Sequence, residues 1–587
     1  MSTLRTPSLL LSAALLLAQS TGLIVGVVED SSGAVVPGAR VRAVNERTGL
    51  DFTTQSDDAG RFSLPRIPVG DYRVEVTRDG FRQFHSESFR LDADQNRQVN
   101  VALQLGQTSE TVTVAGSVAQ VDTVSATIKE VVDEKRITEL PLNGRNPVQL
   151  LLLLPGVVGG PASGSLSRNP GFAVNGARAT STNYLLDGGD NNDPQEGVAA
   201  VTPNPDALEE FSVLTNNFSA EYGRSAGAVV NAVTKSGTNQ FHGSAYEFLR
   251  NDTLDARSFF GQVKGKLRRN QFGASAGGPV VRNRAFFFGS YEGVRERQGS
   301  TVSNLVVPSQ LERGGDFSNS AQRPRDPATN QPFAGGIIPA ARFDAAAVKF
   351  LDALAVPLPN SAGGRHIYNR PQSLDSDQYL GRGDYSLSQS QRLTGRMFRS
   401  TAQDLLTAGL PSLRSEVAFD TWNIGGQHTW TITPALLAVA QYTFNRTQID
   451  RGPLPIGEGA GVSYQSLGVR ASRGGPDALG KPLVPHFRGG VTGYWDLGQD
   501  NLVLIDRRTQ QAIYAVHYTR GGHMLKFGGE YRWSKSDRVT ANGVDPQFTF
   551  NGQFSGNAFS DFLLGVPVRF TQGSVRVNRI RAQTYSL

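Results

Sequence analysis

The sequence contains no cysteine, which excludes disulfides, thiolate nucleophiles and cysteine-ligated metals throughout. Charge is scarce: 19% of residues are Asp, Glu, Lys or Arg, below the usual quarter. The net charge of +6 is spread over 587 residues, whereas nucleic-acid binding needs a clustered basic stripe, so no nucleic-acid partner is expected. The seven histidines include no H-E-x-x-H, so no zinc peptidase, metal site or cofactor is expected either. Glycine is abundant but follows no strict period, which excludes collagen. A 39% apolar, 9% aromatic composition excludes a disordered chain. Long apolar runs are also missing. Leu9–Leu17 is too short to span a bilayer. With Arg5 before it and the small-x-small site Ala18-Gln19-Ser20 after it, it predicts a signal peptide over 1–20; a plain N-terminal helix is the other reading. No later stretch reaches the length of a transmembrane helix, so any membrane role falls to β-strands.

What is present is β-structure, in a chain long enough for about three to five domains. Over 21–105, short alternating segments such as Ile24-Val25-Gly26-Val27-Val28 and Tyr72-Arg73-Val74-Glu75-Val76 recur about every ten residues. Turn clusters such as Asp57-Asp58-Ala59-Gly60 separate them, the pattern of a β-sandwich. The run from Gly26 to Asp30, Val36-Pro37-Gly38-Ala39, Asp58-Ala59-Gly60-Arg61-Phe62 and Pro68-Val69-Gly70-Asp71-Tyr72 resemble the carboxypeptidase regulatory-like domain. That family has a carbohydrate-binding-like fold.

Residues 106–128 read as a polar linker. Within it, Glu110, Thr111, Val112, Thr113 and Val114 alternate like an isolated strand. They resemble a TonB box, which pairs with its partner by strand addition; an ordinary linker strand is the alternative. Residues 129–238 are mixed α/β, with Lys129–Leu140 a candidate short helix. Leu140-Pro141-Leu142-Asn143-Gly144-Arg145-Asn146, Phe172–Arg178, Asn183–Gly188 and Thr234-Lys235-Ser236-Gly237 are similar to the plug domain of TonB-dependent outer-membrane receptors, in particular the Oar-like branch. Asn175, Arg178, Asp187, Asp190, Asn191, Asn192 and Asp193 are the candidate ligand-contacting residues of the plug. The spacing of the last five misses an EF-hand, and a turn held by Asx hydrogen bonds is the alternative.

From 239 to 587 the residues speak without a family. Trp422, Ile424, Gly426, His428 and Trp430 share one face of a strand, and Thr421, Asn423, Gly425, Gln427 and Thr429 the other. A tight turn at Thr431–Pro434 leads into an alternating partner, and the pattern recurs across Arg520-Gly521-Gly522. Two further hairpins centre on Arg282-Asn283 and Ser388-Gln389-Ser390. Long alternating strands, tight turns and aromatic ends predict a transmembrane β-barrel, with Trp422 and Trp430 ~20 Å apart along the membrane normal. Arginine should be costly at Ile424 or Val516, facing lipid, and mild at Asn423 or Gln427, facing the lumen. The Gly- and Pro-rich stretches 297–376 and 449–509 read as long loops on one side. In the first of them Gly315-Asp316-Phe317-Ser318 and Asp326-Pro327-Ala328-Thr329 also resemble the Oar-like family. Receptors of this kind close about twenty-two strands. Residues 239–587 hold too few for that and stop within an alternating strand, so a partial barrel with two free edges is expected.

Enzyme motifs lack their context. Gly223–Gly227 and Gly273–Gly277 spell G-x-S-x-G but neither precedes a helix. Gly475–Lys481 spells G-x-x-x-x-G-K, with Pro482 where a P-loop needs Ser or Thr. The expected fold is mainly β: an N-terminal β-sandwich, a mixed α/β plug and a partial transmembrane antiparallel β-barrel. The resemblance implies a non-enzymatic outer-membrane receptor with its N-terminal domain in the periplasm. Its implied partners are the TonB-ExbB-ExbD energy-transducing complex, outer-membrane lipid and an extracellular ligand, with carbohydrate suggested by the N-terminal fold. The alternative is a barrel-anchored adhesive or structural surface protein.

Overall fold

The structure, a computed structural model, describes residues 21–106, 111–113, 126–159, 169–222, 226–257, 259, 264–456, 461–470, 485–499, 501–521 and 523–586. The signal-peptide segment, Glu110 and Val114 of the candidate TonB box, part of the first G-x-S-x-G and the G-x-x-x-x-G-K stretch lie outside these.

Two sheets face each other in the N-terminal domain. Strands β1 (Thr21–Asp30), β4 (Arg61–Pro68), β8 (Asn96–Gln98) and β9 (Val101–Leu103) form one. Strands β2 (Arg40–Asn45), β3 (Asp51–Gln55), β5 (Gly70–Thr77), β6 (Gln83–His85), β7 (Phe89–Leu91) and β10 (Thr111–Thr113) form the other. Strict alternation buries Ile24 and Val28 from one sheet against Val41, Ala43, Tyr72, Val74 and Val76 from the other. The core closes within the domain, so residues 21–105 are expected to fold alone. A circular-dichroism melt of that segment should be cooperative with a β spectrum; a featureless, gradual melt would overturn this.

The plug is a five-stranded sheet in the order β11 (Ile128–Asp133), β16 (Leu208–Asn216), β17 (Val229–Thr234), β14 (Asn183–Leu186), β15 (Gly189–Asp190). A small pair, β12 (Val157–Gly159) and β13 (Phe172–Val174), stands beside it. The helix expected over Lys129–Leu140 is only α1 (Glu134–Glu139). Its first half is β11, because pairing with β16 outweighs local preference; Asp133 ends the strand and caps the helix by accepting from the Arg136 amide.

Ten antiparallel strands then form one curved wall: β18 (His242–Asn251), β19 (Lys266–Val281), β20 (Ala285–Val306), β21 (Arg365–Ser386), β22 (Gln391–Thr407), β23 (Arg414–Thr433), β24 (Leu436–Pro453), β27 (Val503–Arg520), β28 (His523–Thr540) and β31 (Arg576–Ser586). The expected faces are observed. Met397, Ile424, Tyr514 and Phe527 point out of the wall, while Asn423, Gln427, Thr443 and Gln511 are buried on its inner side. The wall does not close: β18 and β31 are its edges, neither paired to a further strand among the described residues. No helix among the described residues is long and apolar enough to cross a membrane.

The long stretches are shorter as loops, and more ordered, than the sequence suggests. Strands β20 and β21 remain paired up to Val306 and Arg365, well beyond the ~25 Å apolar band of a bilayer. The remaining segments fold into one cap. It contains α2 (Gln310–Arg313), α3 (Ala345–Ala353), α4 (Ala558–Leu563) and a sheet in the order β26 (Trp495–Asp496), β25 (Gly489–Val491), β29 (Gln547–Phe550), β30 (Arg569–Thr571). Phe317, Phe487, Phe559 and Leu563, all fully buried, join Phe350, Tyr464 and Trp495 in its core.

Candidate functional site

The plug lies against the inner side of the wall, and a ladder of acidic residues three apart fastens it there. Asp187 is fully buried. Its carboxylate takes the Thr234 amide at 2.8 Å and hydroxyl at 2.9 Å, the Arg396 guanidinium at 2.7 Å, and lies 3.6 Å from Arg382. Arg396 also bonds Asn423, and Asn423 Nδ2 donates to Asn445 Oδ1 at 2.5 Å. Three residues on, the Asp190 amide donates to Gln511 Oε1 at 2.9 Å. Asn445 donates to its carbonyl at 2.6 Å and to its carboxylate at 3.2 Å, and Arg532 lies 3.6 Å away. Asp193 ends the ladder on Arg507, at 2.5 Å. That guanidinium, 1% exposed, also donates to Gln195 and Glu196 at 3.0 Å each. Asn191 and Asn192 brace the loop internally, on Val201 and Tyr184 respectively.

Of the seven plug residues singled out from sequence, three, Asp187, Asp190 and Asp193, therefore hold the wall, while Asn191 and Asn192 are buried beside them and brace the plug. The other two, Asn175 and Arg178, are exposed and lie apart; Asn175 donates to the Thr215 carbonyl at 3.1 Å. The same contacts change one expectation. Asn423 and Gln427 do face inward, but at 0% and 2% exposure. The lumen there is filled by plug rather than water, so arginine is not mild at Asn423. Sequence reasoning missed Arg382, Arg396, Arg507 and Arg532. Their signal was arginine on the inward register of strands β21, β22, β27 and β28.

The N-terminal domain docks at the end of the wall that carries the short turns. Arg47 and Arg90 both reach Glu209 of β16, at 2.6 and 2.7 Å, and the Ala93 amide donates to Glu210 at 2.6 Å. Asp94 accepts from the Tyr222 hydroxyl at 3.0 Å. The Asn239 amide donates to the Arg47 carbonyl at 3.0 Å, beside the first barrel turn. Arg392, just past the second turn, lies 3.9 Å over the Phe52 ring. The described part of the candidate TonB box is not loose. Thr111–Thr113 pairs in parallel with Gln83–His85 as the outermost strand of the domain's larger sheet.

The two adjacent glutamates titrate apart. Burial would raise Glu209, but the Arg47 and Arg90 guanidiniums overcome it and hold it at about 2. Burial, reinforced by Asp92, pushes Glu210 up to about 8. A raised carboxyl contributes fully below the ordinary carboxylate range and loses that contribution as pH rises through about 8. Glu209 has the opposite sign: its contribution is lost only as pH falls toward about 2. The melting temperature of the full chain is thus expected to lose this contribution as pH rises from the ordinary value of 4.5 to about 8, and Glu210→Gln to flatten that fall. An unchanged slope over that window in Glu210→Gln would refute the assignment.

A strand wall with an apolar outer band, a folded plug on its inner side and a small sandwich at the plug's entry define a plug-bearing β-barrel architecture. Residues 233–587 match the outer membrane beta barrel domain, 121–230 the TonB-dependent receptor plug domain, and 23–104 the carboxypeptidase regulatory-like domain. The chain belongs to the outer membrane beta barrel family and carries a TonB-dependent receptor plug domain with a carboxypeptidase regulatory-like domain ahead of it. Its site is the outer membrane, with the plug and N-terminal domain on the periplasmic side. The long loops and their cap are then extracellular. A TonB-dependent transporter, Oar, from Myxococcus xanthus is 27% identical over 292 residues, covering 47% of this chain and 27% of the relative. The chain thus spans about a quarter of the length of that curated relative. Among solved structures, the outer membrane transporter YddB from Escherichia coli is similar with a TM-score of 0.46 and 11% identity, over 78% of this chain and 53% of that one. The siderophore receptor PiuA from Acinetobacter baumannii gives 0.42 and 11%, over 78% and 61%.

Proposed function

We propose that the protein is a receptor for active uptake of a large extracellular ligand, with carbohydrate as the ligand class, driven by the TonB-ExbB-ExbD complex. The observation that carries this is the acidic ladder. A plug fastened to the wall by buried ion pairs at Asp187, Asp190 and Asp193 blocks passage until work is done on it. Removing one partner of a buried pair costs about 3–5 kcal/mol, so spontaneous opening is rare and an external pull is needed. Glu110–Val114 is the segment on which that pull acts, by strand addition. Since Thr111–Thr113 already pairs with β6, the force reaches the N-terminal domain first and the plug through Glu209 and Glu210. Of the seven candidate plug residues, Asn175 and Arg178 are the exposed pair, and the reading assigns ligand contact to them.

The test is accumulation of labelled oligosaccharide by cells producing the protein, with and without TonB. Accumulation that vanishes without TonB, and on replacing Val112 by Pro, supports the reading. Surface binding with no accumulation in either strain makes the protein an adhesive surface protein instead.

A further inference from the structure

The extracellular cap holds a cleft of about 950 Å³ between its small sheet, the end of β20 and the start of β31. Three arginines line it: Arg488, Arg569 and Arg576. None has a carboxylate partner among the described residues; Arg488 makes only a 3.4 Å contact to Asn542. This sets them apart from the arginines of the neighbouring strands, where Arg295 pairs with Asp377, Arg297 with Asp375, Arg399 with Asp420 and Arg446 with Asp506. The cleft has one carboxylate, Asp496, to offset three guanidiniums. Guanidinium forks gathered in a concave site match carboxylate groups of a ligand.

The rest of the lining is polar and neutral. Asn304, Gln547, Thr492 and Thr549 offer donors and acceptors of both kinds. Part of the floor is bare backbone. At Gly489 (φ +95°) a Cβ would stand 2.1 Å from the Phe548 carbonyl oxygen, and at Gly493 (φ +83°) it would project into open space. At Gly493 a ligand can therefore approach the peptide group directly, while Gly489 is required by its contact with Phe548. Tyr494 lines the same cleft, its hydroxyl fixed by Glu312 at 2.7 Å. Abundant hydroxyl-matching groups with a small number of carboxylate-matching ones describe neither a simple anion nor a neutral sugar.

We propose that this cleft binds an acidic oligosaccharide, a chain of hydroxylated rings bearing carboxylates. The inference rests on the receptor reading above and narrows its ligand class. Binding is measured on the purified full chain with an oligogalacturonate hexamer. A neutral galactose hexamer serves as the uncharged match, and citrate as a polyanion without rings. The galacturonate hexamer should bind, and more weakly as salt rises. The neutral hexamer and citrate should each bind at least about ten-fold more weakly. Arg569→Gln and Arg576→Gln should each lower galacturonate affinity by roughly ten-fold, the loss expected for one charge-assisted hydrogen bond. Both side chains are exposed, so melting should not change, and an unchanged melt separates lost binding from lost fold. Equal binding of the neutral hexamer, or full affinity in the double variant, overturns the anionic site; equal binding of citrate overturns the sugar. Because no TonB is present in this assay, galacturonate binding without TonB-dependent accumulation retains the site and rejects the receptor reading. Accumulation without binding at this cleft does the reverse.

Discussion

Asp187→Ala is expected to lower the stability of the plug–wall assembly by about 3–5 kcal/mol, the cost of leaving a buried charge uncompensated. Arg396, 0% exposed, loses the carboxylate it pairs with at 2.7 Å, and Arg382, 3% exposed, keeps Asp384 at 2.9 Å but loses the second carboxylate 3.6 Å away. Water cannot reach either one in compensation, because the plug sheet and strands β21–β23 enclose them. The Thr234 amide and hydroxyl lose their acceptor as well. Asp187→Asn should recover part of the loss, since an amide oxygen can still accept from Thr234. The comparison is Asp420→Ala, whose Arg399 pair is 41% and 33% exposed; such a pair contributes only about 0–1 kcal/mol. Urea unfolding in detergent micelles, with plug release read by limited proteolysis, reports both. Equal midpoints for the two alanine variants would mean that the plug is not held by this ladder.

The second large effect belongs to the outer face. Ile424→Arg should cost about 2–4 kcal/mol at mid-strand, since it moves a charge into the hydrocarbon band. Ile424 is 39% exposed and lies across from Met397 on β22 and Phe444 on β24, so the arginine would interrupt a row of lipid-facing side chains. Val516→Arg, on the same face of β27, should behave alike, and Ile424→Leu should be close to neutral. Folding yield into lipid vesicles is the measurement. If Ile424→Arg folds as well as Ile424→Leu, the face does not meet lipid.

The lipid face was legible in advance because a strand's side chains alternate with period two, and the alternation around Trp422 and Val516 is nearly unbroken. The same regularity made the N-terminal sandwich and the tight turns at Asn283, Ser390 and Gly521 legible. What lay opposite the inner face was not. Asn423 looks the same in sequence whether it meets water or a plug, because nothing local encodes what fills a lumen. The structure supplies Arg396, Asn445 and the plug carbonyl at Asp190 around it. The first half of the Lys129–Leu140 segment was misread for a related reason. Its helix-compatible composition is weak next to six residues of pairing with β16, a strand some eighty positions away.

The acidic loop marks where the reading of residues ran out. Asp187, Asp190 and Asp193 stood out for their spacing, but spacing alone could not separate a ligand contact, an Asx turn and an anchor. Their role depended on arginines between Arg382 and Arg532, brought to them only when the wall curves. The cap is the same case. Gly- and Pro-rich segments far apart in sequence carry single aromatics, and only their convergence makes a core from Phe317, Phe487 and Phe559. The amino-acid sequence by itself determined the strands, their two faces, the turns and the order of the three domains, because those follow from local periodicity and turn chemistry. The tertiary structure alone decided what each inward face meets. Charge pairing, burial and cavity shape arise between residues whose separation along the chain carries no information about their separation in space.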